Sequence, residues 1–346
     1  MKRGAGGEEA VAPFVVRNAR IPEARAGSSG VVGSPHRTLA VGTVVGRYEV
    51  TREIGRGATG AVYAALDPEL GRVVAVKLLR GGGRRVLARL RRDAKAIAGL
   101  AHPGLVAVYD VGSFGDGAFV AMEYVDGEPL ARWLATPRPP REILDVFARA
   151  GRGLAAAHAA GIAHGGFTPE NVLLGVDGRV CVADLGLAHV VGARASDPEV
   201  PGLARGSTRM VVSGGAAVGA RYGVAPELYR GYDPDARSDQ FSFCVALFAA
   251  LYGRRPFAPV PGESLDALVA NLGAGRLRTV PAVPGVSRRV RTAILRGLAA
   301  ERSARFASLD QLVDRLAPRS GARVVVRVGL AVAALAATGW LVAHSH

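Results

Sequence analysis

The sequence has only two cysteines among its 346 residues, and each of them lies inside an apolar run. This usage argues against a disulfide framework or a zinc site and fits a reducing compartment. A secretion signal is also lacking. The short apolar patch at residues 11–16 is interrupted by Pro13 and is too short for the core of a signal peptide.

Acidic residues are scarce as well, since 29 Asp and Glu stand against 44 Lys and Arg and leave a formal charge of +15. A charge of this sign can attract nucleic acid, acidic lipid or phosphate-bearing ligands. The arginines are scattered through nearly every segment, however, and no basic patch is interleaved with aromatic residues that could stack on bases. We therefore expect no nucleic-acid partner.

Apolar residues are plentiful, at 49% of the chain, and the length suits one substantial core divided into two lobes. Residues 1–46 differ from the rest, because they are rich in Gly, Ala, Arg, Ser and Pro and show no sustained periodicity. We interpret them as a disordered N-terminal arm.

A strand–glycine–strand pattern follows the arm. A predicted strand from Tyr48 to Ile54 leads into Gly55-Arg56-Gly57-Ala58-Thr59-Gly60, and a second strand runs from Ala61 to Leu66. A lone G-x-G-x-x-G is a weak signal, because dinucleotide-binding folds use the same string and continue it as a helix. Here Val62 and Tyr63 favour a strand. The pattern therefore predicts a hairpin whose backbone N–H groups could lie over a nucleotide's phosphates.

The next predicted strand, Val73 to Leu79, places Lys77 among residues of the buried type. A buried lysine is costly unless it finds an anion. A nucleotide phosphate beneath the glycine hairpin would supply one.

Two later motifs carry a family resemblance. The run His164-Gly165-Gly166-Phe167-Thr168-Pro169-Glu170-Asn171 precedes Asp184-Leu185-Gly186. These runs resemble the H-R-D-L-K-P-E-N catalytic loop and the D-F-G turn of protein kinases. With the glycine hairpin, V-A-V-K at Lys77 and A-P-E at Glu227, the chain resembles bacterial serine/threonine protein kinases of the eukaryotic type from about residue 48 to 316.

The resemblance implies an α+β, bilobal protein-kinase-like fold, with a β-rich N-lobe over residues 47–125 and a mainly helical C-lobe over residues 126–316. It implies that Asp239 accepts backbone N–H groups of the catalytic loop. It also implies that Arg305 pairs with Glu227. His158, on a predicted helix from Ile143 to Ala160, is interpreted as a packed helix residue.

The resemblance also implies ATP and Mg²⁺ as ligands. Asp93, on a predicted helix from Arg84 to Leu100, is expected to pair with Lys77 or, alternatively, to be solvated. Backbone groups at Glu123 and Val125 are expected to bind adenine. The expected nucleotide-binding residues are Ile54, Gly55, Gly57, Gly60, Val62, Ala75, Lys77, Asp93, Glu123 and Val125, and the expected Mg²⁺ ligands are Asn171 and Asp184.

The chain departs from the family at positions that carry the reaction. Gly165 replaces the loop arginine, and Gly166 replaces the catalytic aspartate. Thr168 replaces the lysine that touches the transferring phosphate. Ala220 replaces a threonine that, in the family, contacts this aspartate and this lysine. We therefore assign no catalytic residue and interpret the chain as a pseudokinase with an unidentified signalling partner. Three alternatives stay open: a serine/threonine kinase of low or unorthodox activity, transfer of another group from ATP, and an interaction module without nucleotide.

The C-terminal end changes character again. Residues 317–327 form a basic linker, and Val328 to Ala343, or the longer stretch from Val324, is uncharged or nearly so and apolar. About twenty residues at ~1.5 Å each span a hydrocarbon core of ~30 Å. This predicts a transmembrane helix, and the arginines before it place the kinase-like body in the cytoplasm. A helix lying on the membrane surface or completing the fold is the alternative.

Overall fold

The computed structural model describes the two-lobed body of the chain and not its ends. The described residues are 38–57, 60–79, 97, 99–115, 117–186, 223–257, 270–272, 274–275, 277 and 282–317. Asp93, residues 187–222 with Ala220 among them, and the predicted C-terminal helix lie outside them. Within the described residues, no helix has the length and apolar character needed to cross a bilayer.

The N-lobe is a six-stranded antiparallel sheet in the order β1-β2-β3-β4-β6-β5. Its strands are β1 (Val44–Val45), β2 (Tyr48–Gly57), β3 (Gly60–Asp67), β4 (Arg72–Leu79), β5 (Val108–Phe114) and β6 (Gly117–Glu123). β-Branched and aromatic residues favour these strands. Tyr48 and Val50 of β2 are buried and Glu49 between them is exposed, because one face of the strand's first part packs on the lobe's core.

Described structure begins several residues before residue 47, the predicted start of the N-lobe. β1 lies inside the predicted arm, pairs with β2 through Val45 and Tyr48, and buries Val45 completely. Gly42 N–H donates to Val50 O at 2.8 Å and Val50 N–H donates to Thr43 O at 2.9 Å. A strand of two residues is too short to show a periodic pattern in the sequence. It is recognised only by its pairing with β2 in the structure.

The C-lobe combines a small sheet with helices. Among the described residues, its strands are β7 (Gly127–Pro129), β8 (Val172–Gly175) and β9 (Val180–Val182), and its α-helices include α1 (Leu130–Trp133), α2 (Pro140–Ala159), α3 (Pro226–Tyr229), α4 (Ala236–Tyr252), α5 (Arg288–Gly297) and α6 (Leu309–Leu316). Short 3₁₀ turns cover Pro169–Asn171 and Arg302–Ala304. β8 and β9 pair to form the hairpin that separates Asn171 from Asp184 in the chain, and their pairing brings these two residues close together.

Helix α4 is the central element of the C-lobe. Asp235 caps it by accepting the N–H groups of Arg237 and Ser238, and Ser238 Oγ accepts the Asp235 N–H in return. Gly253, at φ +63°, ends the helix in the left-handed conformation that glycine adopts without strain. Most of α4 is buried all round, as its sequence predicts.

The predicted pair between Arg305 and Glu227 is confirmed. Arg305 Nη1 and Nη2 donate to the two Glu227 carboxylate oxygens at 2.6 and 2.9 Å, and Arg305 Nε donates to Ala299 O at 2.9 Å. Both side chains are buried, at 1% and 4% exposure, so each charge depends on the other. The pair ties α3 to the chain segment that enters α6.

Replacement of Arg305 by Leu should lower the free energy of unfolding by about 3 to 5 kcal/mol, because it removes both guanidinium hydrogen bonds of the buried Glu227 carboxylate and leaves it only the longer contact with Arg302, at 3.8 Å. Chemical denaturation measures this change. Arg132→Ala is the matched control, since the Arg132 side chain is 81% exposed and its contact with Glu128 is long, at 3.5 Å. The control should stay within about 0.5 kcal/mol of the wild type. Equal effects of the two substitutions would contradict this account of the C-lobe.

Candidate nucleotide-binding site

The glycine hairpin joins β2 to β3 and pairs Gly57 with Gly60. The surroundings of the hairpin's glycines differ, and so does the reason why each position suits glycine. A Cβ on Gly60, which has φ +153°, would overlap the Leu78 carbonyl oxygen, so the sheet itself requires glycine there. A Cβ on Gly55 or Gly57 would meet no atom of the described residues within 4 Å. The packing of those residues does not require glycine at either position, and the open backbone fits the close approach of a ligand.

Lys77 lies on β4, in register with Val62 on β3 and Val120 on β6. It is only 4% exposed, and its Nζ contacts Asp184 Oδ2 at 2.6 Å. A buried ammonium group requires an anion. Among the described residues, Asp184 is that anion. The predicted partner, Asp93, lies outside the described residues.

Asp184 has the one positive φ, +62°, among the described residues other than glycine. Aspartate tolerates this left-handed conformation better than most residues, although it remains costly. The next residue, Leu185, is buried in the core of the C-lobe, as expected for its position in the turn. The ion pair to Lys77 and the burial of Leu185 together hold the Asp184 carboxylate in place beside Lys77.

Asn171 lies beside Asp184 through the backbone, because Ala183 N–H donates to Asn171 O at 2.8 Å. Its side-chain Nδ2 donates to Gly166 O at 3.1 Å. The amide oxygen of Asn171 and Oδ1 of Asp184 have no hydrogen bond among the described residues. Oxygen donors of this kind suit Mg²⁺ held jointly with phosphate. The described residues hold no group of three or more His, Cys, Asp or Glu placed to share a metal.

An apolar cluster lines the cleft between the lobes. Three predicted residues, Val62, Ala75 and Val125, belong to it, together with residues that sequence reasoning did not assign: Met122, Leu173, Cys181 and Ala183. The short V-L-L run after Asn171 could have indicated Leu173, because one residue of that strand has to face the cleft. Ile54, at the base of the hairpin, is 37% exposed, so part of its apolar surface is left for a ligand.

The connection between the lobes includes both residues expected to bind adenine. Glu123 N–H donates to Ala107 O at 2.8 Å, and the Glu123 carboxylate contacts Arg179 Nη2 at 2.5 Å. The N–H and side chain of Glu123 are therefore committed to the fold. Val125 lies between β6 and β7 and makes no backbone hydrogen bond with any described residue. Of the two residues, Val125 offers the free N–H and carbonyl.

The catalytic loop is held from below by the buried carboxylate of Asp239. Its oxygens accept the backbone N–H groups of His164 and Gly165 at 2.7 and 2.8 Å, which confirms the predicted contact. His158 Nε2 contacts the same carboxylate at 2.9 Å, a role beyond its predicted packing. Gly165 has φ +73°, which glycine adopts without strain.

His164 is also buried, and its Nδ1 accepts the Gly166 N–H at 3.2 Å. Burial lowers the pKa of His164, which keeps the imidazole neutral and able to accept this bond. The His164 carbonyl accepts the Gly186 N–H at 3.3 Å, so the loop is tied to the turn that follows Asp184. The loop is therefore fixed at both ends.

The assembled loop has no carboxylate at its centre. Gly166 contributes only backbone, and the two aspartates nearby are engaged: the partly buried Asp184 with Lys77 and the buried Asp239 with the loop's own N–H groups. Glu170 is exposed on the 3₁₀ turn. Among the described residues, Lys77, Asp184 and Asn171 are therefore the groups that could hold a cation and a polyphosphate, and position 166 has no general base.

The two-lobed fold, the glycine hairpin and the Lys77–Asp184–Asn171 arrangement agree with what sequence comparison shows. Residues 48–312 match the protein kinase domain, and the chain belongs to that family. Members of this family generally use ATP and Mg²⁺.

Several relatives are serine/threonine protein kinases of bacteria. The chain is 37% identical over 216 residues to PknL of Mycobacterium tuberculosis, which covers 61% of this chain and 50% of PknL. It is 33% identical over 295 residues to pkn2 of Myxococcus xanthus, which covers 82% of this chain and 34% of pkn2. The chain thus spans half or less of these relatives' length. The crystal structure of the PknI kinase domain of M. tuberculosis is similar, with 26% identity, a TM-score of 0.59 and coverage of 81% of this chain and 98% of that one.

The two ends of the glycine hairpin should respond differently to one added methyl group. Gly60→Ala should lower the free energy of unfolding by about 2 kcal/mol or more, because its Cβ overlaps the Leu78 carbonyl and its φ is unfavourable. Gly57→Ala should leave stability unchanged to within about 1 kcal/mol and weaken Mg–ATP binding severalfold. Denaturation and calorimetric titration test the pair. A destabilised Gly57→Ala with normal nucleotide affinity would contradict the assignment.

Proposed function

We propose that this protein is a pseudokinase: a membrane-anchored, protein-kinase-like protein that binds Mg–ATP, is catalytically impaired, and acts as a signalling scaffold or allosteric partner in the cytoplasm. One observation carries the proposal. Gly166 stands where the family has its catalytic aspartate, inside a loop that Asp239 and His164 otherwise hold in place.

The binding half of the proposal rests on charge. Lys77 and Asp184 neutralise one another in the buried part of the cleft. A Mg²⁺–polyphosphate would bring an anion to Lys77 and a cation to Asp184 and Asn171, so that each group gains a partner of opposite charge when the other is drawn away. The apolar cluster around Ala75 and Leu173 and the free backbone of Val125 suit a flat heterocycle.

The catalytic half rests on the missing groups. A positioned acid or base contributes typically ~10² to 10⁴-fold to a reaction rate. Thr168 in place of the loop lysine removes a positive charge that would stabilise the transferring phosphate. The missing aspartate at Gly166 and the missing lysine at Thr168 belong to one loop, whose supporting contacts are intact. This combination supports a protein that retains the kinase fold and nucleotide binding without fast phosphate transfer.

The scaffold role follows from what is retained. The Arg305–Glu227 pair and the Asp239 contacts keep the C-lobe well ordered without serving the reaction themselves. The C-lobe keeps its structure, whereas the charged contacts at the cleft change when ATP binds. A partner protein could therefore distinguish the ATP-bound form from the free form. The partner is a signalling protein still to be identified. The apolar C-terminal run is the proposed membrane anchor.

A second candidate is a serine/threonine kinase of low or unorthodox activity. The observation in its favour is Glu170, an exposed carboxylate that lies four residues after Gly166 and has no partner among the described residues. If Glu170 served as the base, Glu170→Gln would abolish transfer. In the pseudokinase account this substitution changes nothing.

Transfer of the γ-phosphate to the protein itself and to a generic serine/threonine substrate should be near background in the wild type. The double substitution Gly166→Asp with Thr168→Lys restores the two missing groups and should raise the rate by at least about 100-fold. Incorporation of radioactive phosphate, with mass spectrometry of the product, measures this. Robust wild-type turnover that disappears in Lys77→Ala or Asp184→Ala would overturn the proposal.

Nucleotide binding is checked on the same samples by the thermal shift that Mg–ATP produces. The wild type and the double variant should both be stabilised, because Lys77, Asn171 and Asp184 are present in each. Lys77→Ala should lose the shift. Absence of a wild-type shift at millimolar Mg–ATP would leave the protein as an interaction module without nucleotide.

A further inference from the structure

One end of the C-lobe carries a group of arginines that lies outside the nucleotide site. They come from the first turns of α5 and the last turn of α6, and we call them the basic corner: Arg288, Arg289, Arg291 and Arg315. Three of them, Arg288, Arg291 and Arg315, are exposed. The opposite face of α5 is buried and includes Val290 and Ile294, so the arginines occupy its outward face.

Contacts between the elements bring these arginines together. Arg289 Nη2 donates to Asp314 O at 2.7 Å, which joins the start of α5 to the end of α6. Arg288 and Arg315 are the chain neighbours of these two residues and so lie at the same junction. Arg291 extends the corner toward the end of α4: burial raises the pKa of Tyr252, and the nearby Arg291 guanidinium opposes that rise.

The positive charge of the corner is not neutralised by the acidic residues around it. Helix α5 has no acidic residue, and α6 has only Asp310 and Asp314. Both of these carboxylates pair with Arg152 of α2, which contacts Asp310 Oδ1 at 2.5 Å and also pairs with Asp314, so its one positive charge offsets one of the two negative charges. Glu301, between the two helices, accepts hydrogen bonds from Ser303. The surface therefore keeps an excess of positive charge.

The position of the corner in the chain indicates what it meets. The sequence leaves α6 at Leu316 and continues to His346 without an acidic residue, through Arg319, Arg323 and Arg327 and then the apolar run from Val328. The chain thus passes from the basic corner directly into the segment proposed to enter the membrane. A basic surface tethered this close to a bilayer experiences a high effective concentration of lipid headgroups.

We propose that the basic corner is a docking surface for anionic phospholipid headgroups, which holds this end of the C-lobe against the cytoplasmic leaflet. The inference rests on the proposed membrane anchor and adds a fixed orientation of the kinase domain to it. Guanidinium groups pair with phosphate through parallel N–H bonds. Each arginine near an anionic leaflet strengthens binding by roughly fivefold.

The test uses the full chain in lipid nanodiscs, made either of phosphatidylcholine alone or of phosphatidylcholine with phosphatidylserine. Phenylglyoxal modifies accessible arginines, and mass spectrometry reads each site. Modification of Arg288, Arg291 and Arg315 should be at least about fivefold slower in the anionic discs, and high salt should remove the difference. Arg52 and Arg132, exposed elsewhere on the body, should react equally in both and serve as internal controls.

A charge-reversed variant provides the matched comparison. Arg288→Glu with Arg291→Glu should abolish the protection of Arg315, whereas Arg52→Glu with Arg132→Glu, which makes the same change in net charge, should preserve it. Equal modification of the basic corner in neutral and anionic discs by a chain that both discs retain would overturn the docking proposal. Protection by a short DNA duplex with none by anionic lipid would also overturn it and assign the surface to nucleic acid.

Failure of the anchor is distinguishable from failure of the docking. A chain that neither disc retains lacks the proposed anchor, and its docking proposal falls with it. A chain that only anionic discs retain, and that Arg288→Glu with Arg291→Glu releases, docks through the basic corner without a spanning helix. That result would support the surface and contradict the anchor.

Discussion

The candidate site depends on one buried carboxylate, that of Asp239. Its two oxygens accept N–H groups from consecutive residues of the catalytic loop, His164 and Gly165, and one of them also contacts His158 of α2. A buried charge persists only when such partners surround it. Asp239 therefore links α2, the central helix α4 and the catalytic loop, and it positions Gly166 and Asn171 whether or not chemistry takes place there.

On this scaffold the nucleotide side and the reaction side differ. Lys77, Asp184 and Asn171 form a connected set of charges and oxygen donors at the cleft. Gly166 and Thr168 lie on the same loop as Asn171. They provide neither a general base nor a positive charge. Binding and transfer are separable tasks in a kinase fold, because one requires ligands for Mg–ATP and the other requires groups that act in the transition state.

Much of this arrangement could be predicted from the sequence, because the motifs are local. The glycine hairpin, the strand with Lys77 and the loop from His164 to Asn171 each reveal their structure within a few residues. Contacts between distant residues are less accessible. The Lys77–Asp184 pair joins residues 107 positions apart, and the Glu123–Arg179 pair joins residues 56 apart. The Asp239 and Arg305 contacts were predictable only because the family resemblance supplied their partners, and β1 was missed because two residues carry no pattern.

The central claim is that a bound Mg–ATP stays intact in this cleft. Phosphorus NMR of equimolar protein and Mg–ATP tests it most directly, because one spectrum reports both binding and breakdown. The account predicts that the β- and γ-phosphate resonances shift or broaden on binding and keep their intensity over many hours. Steady conversion to ADP with phosphoprotein or free phosphate, lost in Asp184→Ala, would contradict it.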